Sequence, residues 1–441
     1  MSNSLVWFRN DLRITDNFAL TQACKGNRVI AVYCFDPRYR AMDAFGFPKT
    51  GPFRSQFLYQ SIEDLRQQLA GLNISLFVFQ NPPEHVIPDL IRAFAIEKVY
   101  SQKEWTQEEV TIYDRVTEWS PEGVQWIEVY NQFLYHPDDI PYESFNDIPD
   151  IFTPFRKHCE KTVEVREETP PPQPMPAENR VHTLPPFPSM SQLGMTPFTP
   201  DNRSAFPFSG GETQAAERLE EYSWKTGNLS EYKETRNGLI GSEYSSKLSA
   251  WLANGSLSPR TVYWKVKAYE AERVANQGTY WLIFELIWRD FFKYISLKHG
   301  NLIFRLGGIH KKELEWENDK EKLEAWINGT TGVDFIDANM IELALTGFMS
   351  NRGRQNVASF WAKEWQQDWR IGAAYFESML IDYDVHSNWG NWMYNSGVGN
   401  DPRDRKFNIS RQAEQYDKEN TYRDLWLQQN FLKEQGQYTK K

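Results

Sequence analysis

Cysteine is scarce in this chain of 441 residues: Cys24, Cys34 and Cys159 are the only three, and no two form a CxxC pair. A disulfide framework is thereby excluded, and a reducing compartment fits. The seven histidines make no HExxH or comparable spacing, so no catalytic metal is expected. Long apolar runs are missing as well. No stretch of about 18 apolar residues occurs, and the start MSNSLVWFRNDLR puts charges where a signal peptide needs an apolar segment. A cytoplasmic protein with no membrane contact is the expectation. Neither GxGxxG nor GxxxxGK[ST] is present, which excludes an obvious dinucleotide or nucleoside-triphosphate loop. Net positive charge is lacking too. The formal charge of −10 argues against a general basic coat for nucleic acid, and leaves room for a local basic patch.

Aromatic residues are abundant: they form 15% of the chain, with 17 Trp. Such an excess suits either stacking surfaces or a richly packed core. The stretch DYDVHSNWGNWMY (382–394) sets two aspartates, an Asn and several aromatics side by side. It reads as an ordinary helix end or as one wall of a pocket for something large, flat and polar-edged, because a buried Asp needs a partner or a ligand.

Short β-rich runs at 5–9, 29–35, 75–80, 98–102 and 124–130 alternate with helical patterns near 17–24, 53–71, 84–96 and 107–118. That rhythm predicts a doubly wound parallel sheet, with a site beyond the carboxyl ends of its strands. From 169 to 209 prolines crowd the chain, forbid continuous helix or sheet, and predict a connector over the surface. Beyond Gly211 the pattern is helical, with candidates at 212–226, 244–254, 259–274, 278–299, 320–328, 333–345, 353–366, 372–382 and 421–430. The predicted organisation is an α/β domain over 1–135, a Pro-rich connector over 136–210, an all-helical domain over 211–430 and a short polar tail over 431–441.

The segments VWFRNDLRITDN, ELIWRDFF (285–292), GFMSNRGRQ (347–355), DWRIG (368–372) and DYDVHSNWGNW together resemble the photolyase and cryptochrome family over nearly the whole chain. FELIWRDFFKY, YKETRNG and VGNDPR are most similar to its DASH-type cryptochromes. The resemblance implies an N-terminal antenna-binding domain, a helical FAD-binding domain and a 5,10-methenyltetrahydrofolate antenna. It implies a monomeric, blue-light-driven photolyase that repairs cyclobutane pyrimidine dimers, preferentially in single-stranded DNA. The alternative is a blue-light photoreceptor with the same pocket; repair of (6-4) photoproducts and flavin storage are further rivals.

By the same resemblance, Tyr232, Ser245, Ser246, Lys247, Leu248 and Ser249 hold the FAD diphosphate and ribityl chain, though a serine N-cap on an ordinary helix would look alike. Asn351 and Arg354 lie three apart on one helical face. Arg354 is expected to pair with Asp382 beside the flavin ring, with Asp384 near another polar edge and Asn388 facing N5. Trp392, Trp369 and Trp316 match the family's electron-transfer chain. Glu285 and Trp288, with Asn351, Arg352, Gln355 and Tyr394, are expected to bind the lesion. Glu285 and Asn388 are the expected catalytic residues, Glu285 donating a hydrogen bond to the dimer radical anion. Tyr394 stands where many photolyases carry a second Trp, so a weaker grip on a flipped base is expected. Extruding a base costs least from a strand that is already single. Arg289, Arg352, Arg403, Arg405, Lys406 and Arg411 are candidates for phosphate contacts, and Glu109 or its neighbour Glu108 for the antenna.

Overall fold

The computed structural model describes residues 2–428. The tail 431–441 and the last two residues of the helix expected at 421–430 lie outside the described residues.

Five parallel strands form one sheet: β1 (Asn3–Trp7), β2 (Arg28–Cys34), β3 (Ser75–Phe79), β4 (Lys98–Gln102) and β5 (Gln125–Val129), in the order β3-β2-β1-β4-β5. Leu5 stands opposite Ile30 on one side and Val99 on the other. The strands are apolar on both faces because helices cover both. Val6, Val29 and Ala31 pack with α1 (Phe18–Ala23) and α2 (Pro52–Gly71), whereas Leu5, Trp7, Ile30 and Val32 pack with α3 (Pro83–Ala93) and α4 (Gln107–Trp119). The strand order reverses at β1, so a crevice opens beyond the carboxyl ends of β1 and β4.

Segment 136–210, expected as connector, also contains a helix, α5 (Phe152–Thr162), whose Phe152, Phe155 and Cys159 are buried. After α5 the chain runs as an irregular strap, and buried Met175, Asn179, Leu193 and Met195 fasten it to the sheet domain. Asn179 does so by accepting from Val29 N at 2.8 Å and donating to Val29 O at 2.9 Å.

The second half contains α6 (Glu212–Glu220), α7 (Tyr232–Thr235), α8 (Ser249–Asn254), α9 (Pro259–Glu272), α10 (Gln277–His299), α11 (Lys320–Ile327), α12 (Asp334–Thr346), α13 (Asn351–Ser359), α14 (Trp369–Met379), α15 (Val385–Ser396), α16 (Ile409–Tyr416) and α17 (Thr421–Leu427). Helix α10 is the axis. Asn276 caps it, accepting from Gly278 N and Thr279 N, and Leu282, Leu286, Phe291 and Tyr294 bury its length in the core. The helix expected over 244–254 starts only at Ser249, because Lys247 adopts a left-handed backbone with φ of 61°. Two helices expected to run straight through, 212–226 and 353–366, end in wide π turns at 221–225 and 360–364.

The two halves interlock through RNDLRITDN. Buried Asp16 takes Arg260 at 2.7 Å, and Arg13 donates to Gly255 O at 2.9 Å and Asn131 O at 3.0 Å. Gly255 packs so tightly on Asn10 that a Cβ there would lie 2.0 Å from its carbonyl oxygen.

Candidate functional site

The turn before α8 builds the first wall. Arg218, 2% exposed, donates to the carbonyls of Ser246 at 3.1 Å, Ser242 at 3.0 Å and Ser245 at 3.3 Å, and pairs with Glu243 at 2.9 Å. This clasp fixes the hydroxyl-rich turn and its left-handed Lys247. Ser246, Lys247 and Leu248 are buried. The Lys247 ammonium sits 3.1 Å from the Tyr244 ring centroid and has no hydrogen-bond partner. The Tyr244 hydroxyl and Glu342 Oε1 are also unpartnered. Burial holds the Lys247 amine well below its ordinary pKa and lifts Glu342 to about 7. An unpaired cation enclosed this way is costly unless an anion arrives.

Across from the turn, Arg354 reaches Asp382 with bonds of 2.9 and 3.0 Å, and Ser249 Oγ donates to the same carboxylate at 2.7 Å. Residues far apart in sequence thus meet as one cluster, and Asp382 is buried. Asn388 is buried on α15 and gives its amide to Ala373 O at 3.0 Å. Asp384 caps α15 by accepting from Ser387 N at 2.8 Å and pairs with Lys293 at 2.9 Å, which holds its carboxyl far below the usual range despite burial. It lines the crevice between the two halves.

The second constellation lies around α7, α10 and α13. Glu285 pairs with Arg236 at 2.6 Å, while neighbouring Asn237 accepts from Arg352 at 3.0 Å and Arg352 donates to Gln355 at 2.8 Å. Residues 236 and 237 therefore hold α10 and α13 together. Burial raises the Glu285 carboxyl, and Arg236 works against that rise. Tyr232 is buried, which lifts its phenol well above the ordinary pKa, and the Glu285 charge adds to the rise. Trp288 stacks on Phe152 of α5 at 3.6 Å and meets Tyr394 edge-on at 6.2 Å. The Tyr394 hydroxyl is taken by Arg405, which also pairs with Asp401 at 3.3 Å. Asn351 is the exposed first residue of α13.

The expected phosphate contacts divide. Arg403, Arg405, Lys406 and Arg411 are exposed. Arg289 is spent elsewhere: it donates to Gln132 O at 2.6 Å and Leu252 O at 2.8 Å in the crevice. The helical spacing that set it beside Trp288 in sequence turns it toward the sheet domain.

Among the tryptophans, Trp392 and Trp369 are buried and Trp316 is half-buried. Gly372, one turn from Trp369 on α14, lies flat on the Trp392 ring; a Cβ there would come within 2.2 Å of it. Trp316 precedes Glu317, which bridges to Gln367 two residues before Trp369.

The crevice beyond β1 and β4 encloses about 790 Å³. Arg9, Gln102, Glu109 and Gln132 line it, each with one buried polar atom lacking a partner. Burial pushes the Glu109 carboxyl up to about 7, whereas Glu108 is tied to Lys49 at the surface.

Family models match over this architecture: "DNA photolyase" spans residues 4–177 and "FAD binding domain of DNA photolyase" spans 281–434. A cryptochrome DASH of Synechocystis sp. is 48% identical over 430 residues, covering 96% of this chain and 87% of that protein. The chain belongs to the cryptochrome DASH family. The crystal structure of a Synechocystis sp. PCC6803 cryptochrome superposes with a TM-score of 0.92 at 47% identity, covering 96% of this chain and 88% of that one. A bacterial class III photolyase from Agrobacterium tumefaciens gives 0.82 at 27% identity, covering 97% and 86%.

Family membership makes this chain a photolyase-like flavoprotein, and the donor set fits FAD. The unpartnered Lys247 ammonium and the hydroxyls of Ser245 and Ser246 suit a diphosphate, whereas the Ser249 hydroxyl is given to Asp382, and the Arg354–Asp382 pair offers fixed donors and acceptors to a polar ring. Sequence reading missed Arg218, Arg236, Glu342, Lys293 and Phe152. Lys293 carried a signal as a Lys inside the apolar face of a long helical pattern, and Arg236 lay within the quoted YKETRNG segment with no role assigned to it.

Proposed function

We propose that this chain repairs cyclobutane pyrimidine dimers in single-stranded DNA under blue light, acting as a monomer, with FAD as cofactor and a methenyltetrahydrofolate antenna in the crevice. The observation that carries the reading is the joining of Glu285, Arg352 and Gln355 through Arg236 and Asn237 beside the Trp288 ring. Carboxyl, amide, guanidinium and indole there offer what a flipped pyrimidine pair needs: edge donors and a stacking face. FAD, held by Lys247, Ser245, Ser246 and the Arg354–Asp382 pair, would supply the light-driven electron transfer that opening the cyclobutane ring requires.

The protein's own residues do the rest. Trp288, backed by Phe152, presents a rigid stacking wall. Glu285 holds a proton for the dimer carbonyl when a strand phosphate draws Arg236 away, because burial then acts on its carboxyl unopposed. Asn388 brings a neutral amide toward the flavin ring without adding charge. Tyr394 is smaller than a Trp and already bound to Arg405, so it contributes little to pulling a base from a duplex. Exposed Arg403, Lys406 and Arg411 meet backbone phosphates. In the crevice Glu109, Gln102 and Gln132 supply the acceptors that an aminopterin-type ring requires.

Fluorescence anisotropy with labelled oligonucleotides tests the reading. Single strands carrying a thymine dimer should bind more tightly than undamaged strands or dimer-containing duplex, and Trp288→Ala should erase the preference for the dimer. Equal binding of damaged and undamaged strands would leave a photoreceptor as the better account.

A further inference from the structure

Two aromatics of DYDVHSNWGNWMY, Tyr383 and Trp389, have no part in the roles assigned above. Buried Trp389 meets Trp369 edge-on at 5.7 Å, and its indole N–H donates to the Tyr383 hydroxyl at 3.2 Å. The Arg54 guanidinium lies 4.5 Å over the Tyr383 ring and is held by the backbone carbonyl of Glu377 at 2.9 Å. The Glu377 carboxyl belongs to the same cluster: it lines the crevice with the phenol, and the two groups act on each other's titration. All four residues line the crevice. The phenol therefore has an oxidisable indole on one side and a base on the other.

We propose that Tyr383 is an electron donor on a branch of the tryptophan path, with Trp389 as the bridge from Trp369 and Glu377 as the base that takes the phenolic proton. This rests on the electron-transfer reading of Trp392 and Trp369. Trp392 gives one electron to oxidised, light-excited flavin, Trp369 refills Trp392, and Trp389 refills Trp369. Tyr383 then gives one electron to Trp389. Its O–H bond breaks, the proton forms a new O–H bond on the Glu377 carboxylate, and a neutral phenoxyl radical remains. One electron has left the phenol, one has reached the flavin, and the proton stays in the protein.

The surroundings favour coupled loss of the two particles. A cation over the ring opposes a positively charged phenol, so the electron leaves only as the proton does. Burial raises the proton affinity of Glu377, which favours its taking the phenolic proton, and the Arg54 charge tempers that rise. The N–H of Trp389 steadies the oxygen as its proton departs.

The test is electron paramagnetic resonance of the oxidised holoprotein after blue illumination in the cold, with transient absorption alongside. Wild type should give a neutral tyrosyl signal whose hyperfine pattern changes with ring-deuterated tyrosine. Tyr383→Phe and Trp389→Phe should lose it while a tryptophan radical persists, and Glu377→Gln or heavy water should slow its appearance. Flavin content equal to wild type checks that the pocket is intact. Fluorotyrosine at position 383 gives a shifted signal even where a variant folds poorly. A tryptophan radical with no tyrosyl signal in wild type would overturn the branch alone, as would a signal unchanged in Tyr383→Phe. Absence of any protein radical, with the flavin still oxidised, would overturn the branch and the tryptophan path together.

Discussion

Replacing Lys247 with Met should move two properties in opposite directions. The ammonium is 3% exposed and unpartnered, lying against Tyr244 and, at 4.8 Å, Phe348. Met keeps the length and apolar stem, and the left-handed backbone penalises both residues alike. A hydrogen bond to a charged group is worth about 1.5–3 kcal/mol, so losing the contact to the diphosphate should raise the FAD dissociation constant by about 10- to 150-fold. In the flavin-free protein an unsatisfied buried donor costs about 1–3 kcal/mol, more for a charge, and Met removes that cost. Burial holds the folded-state pKa below the ordinary 10.5. The unfolded chain therefore binds more protons between the two values, and flavin-free wild type gains stability as pH rises through that interval. Binding an anion restores the charge, so FAD affinity should strengthen as pH falls, and Lys247→Met should lack that slope. Titration of flavin-free protein with FAD and urea unfolding of both forms read these effects. Unchanged affinity, or a less stable flavin-free variant, would refute the reasoning.

Three further outcomes follow from the same geometry. Glu285→Ala should lower the repair yield by about tenfold or more, on the value of a hydrogen bond to a charged group, while the flavin absorption spectrum stays as in wild type. Trp369→Phe should block photoreduction of oxidised protein yet leave repair by chemically reduced protein intact, as single-turnover illumination would report. Glu109 carries a carboxyl raised from 4.5 to about 7, so the folded state holds a proton that the unfolded state loses across that window. Its share of stability should therefore fall as pH rises from 4.5 to about 7, by about 3 kcal/mol at about 1.4 kcal/mol per pH unit; Glu109→Gln should make the fall shallower by that amount and also weaken folate retention, both measurable by thermal unfolding and absorbance.

Much of the fold was legible because strand and helix periods alternate clearly over the first 130 residues. What escaped depended on tertiary contact. Helix α5 buries three side chains, Phe152, Phe155 and Cys159, in a stretch with Pro149 before it and Pro154 in its first turn, so it read as connector, and its Phe152 stacks on the Trp288 ring. Helix α15 contains Gly390, a poor helix former that is there because Phe292 leaves no room for a Cβ: one would lie 2.3 Å from that ring. The false start at 244 came from reading hydroxyls as helix residues, when the clasp of Arg218 holds them in a turn. Arg354 and Asp382 met as expected from the family pattern. The pairings of Arg236 and Arg218, with partners 49 and 24 to 28 residues away, were not to be read from local spacing.

The central claim is light-driven repair of a lesion in a single strand. Reduced holoprotein would be illuminated with blue light on thymine-dimer oligonucleotides, single-stranded and duplex in parallel, with dark controls. The account predicts light-dependent loss of the dimer from the single strand and little or none from the duplex. No loss from either, with FAD bound and reduced, would contradict it.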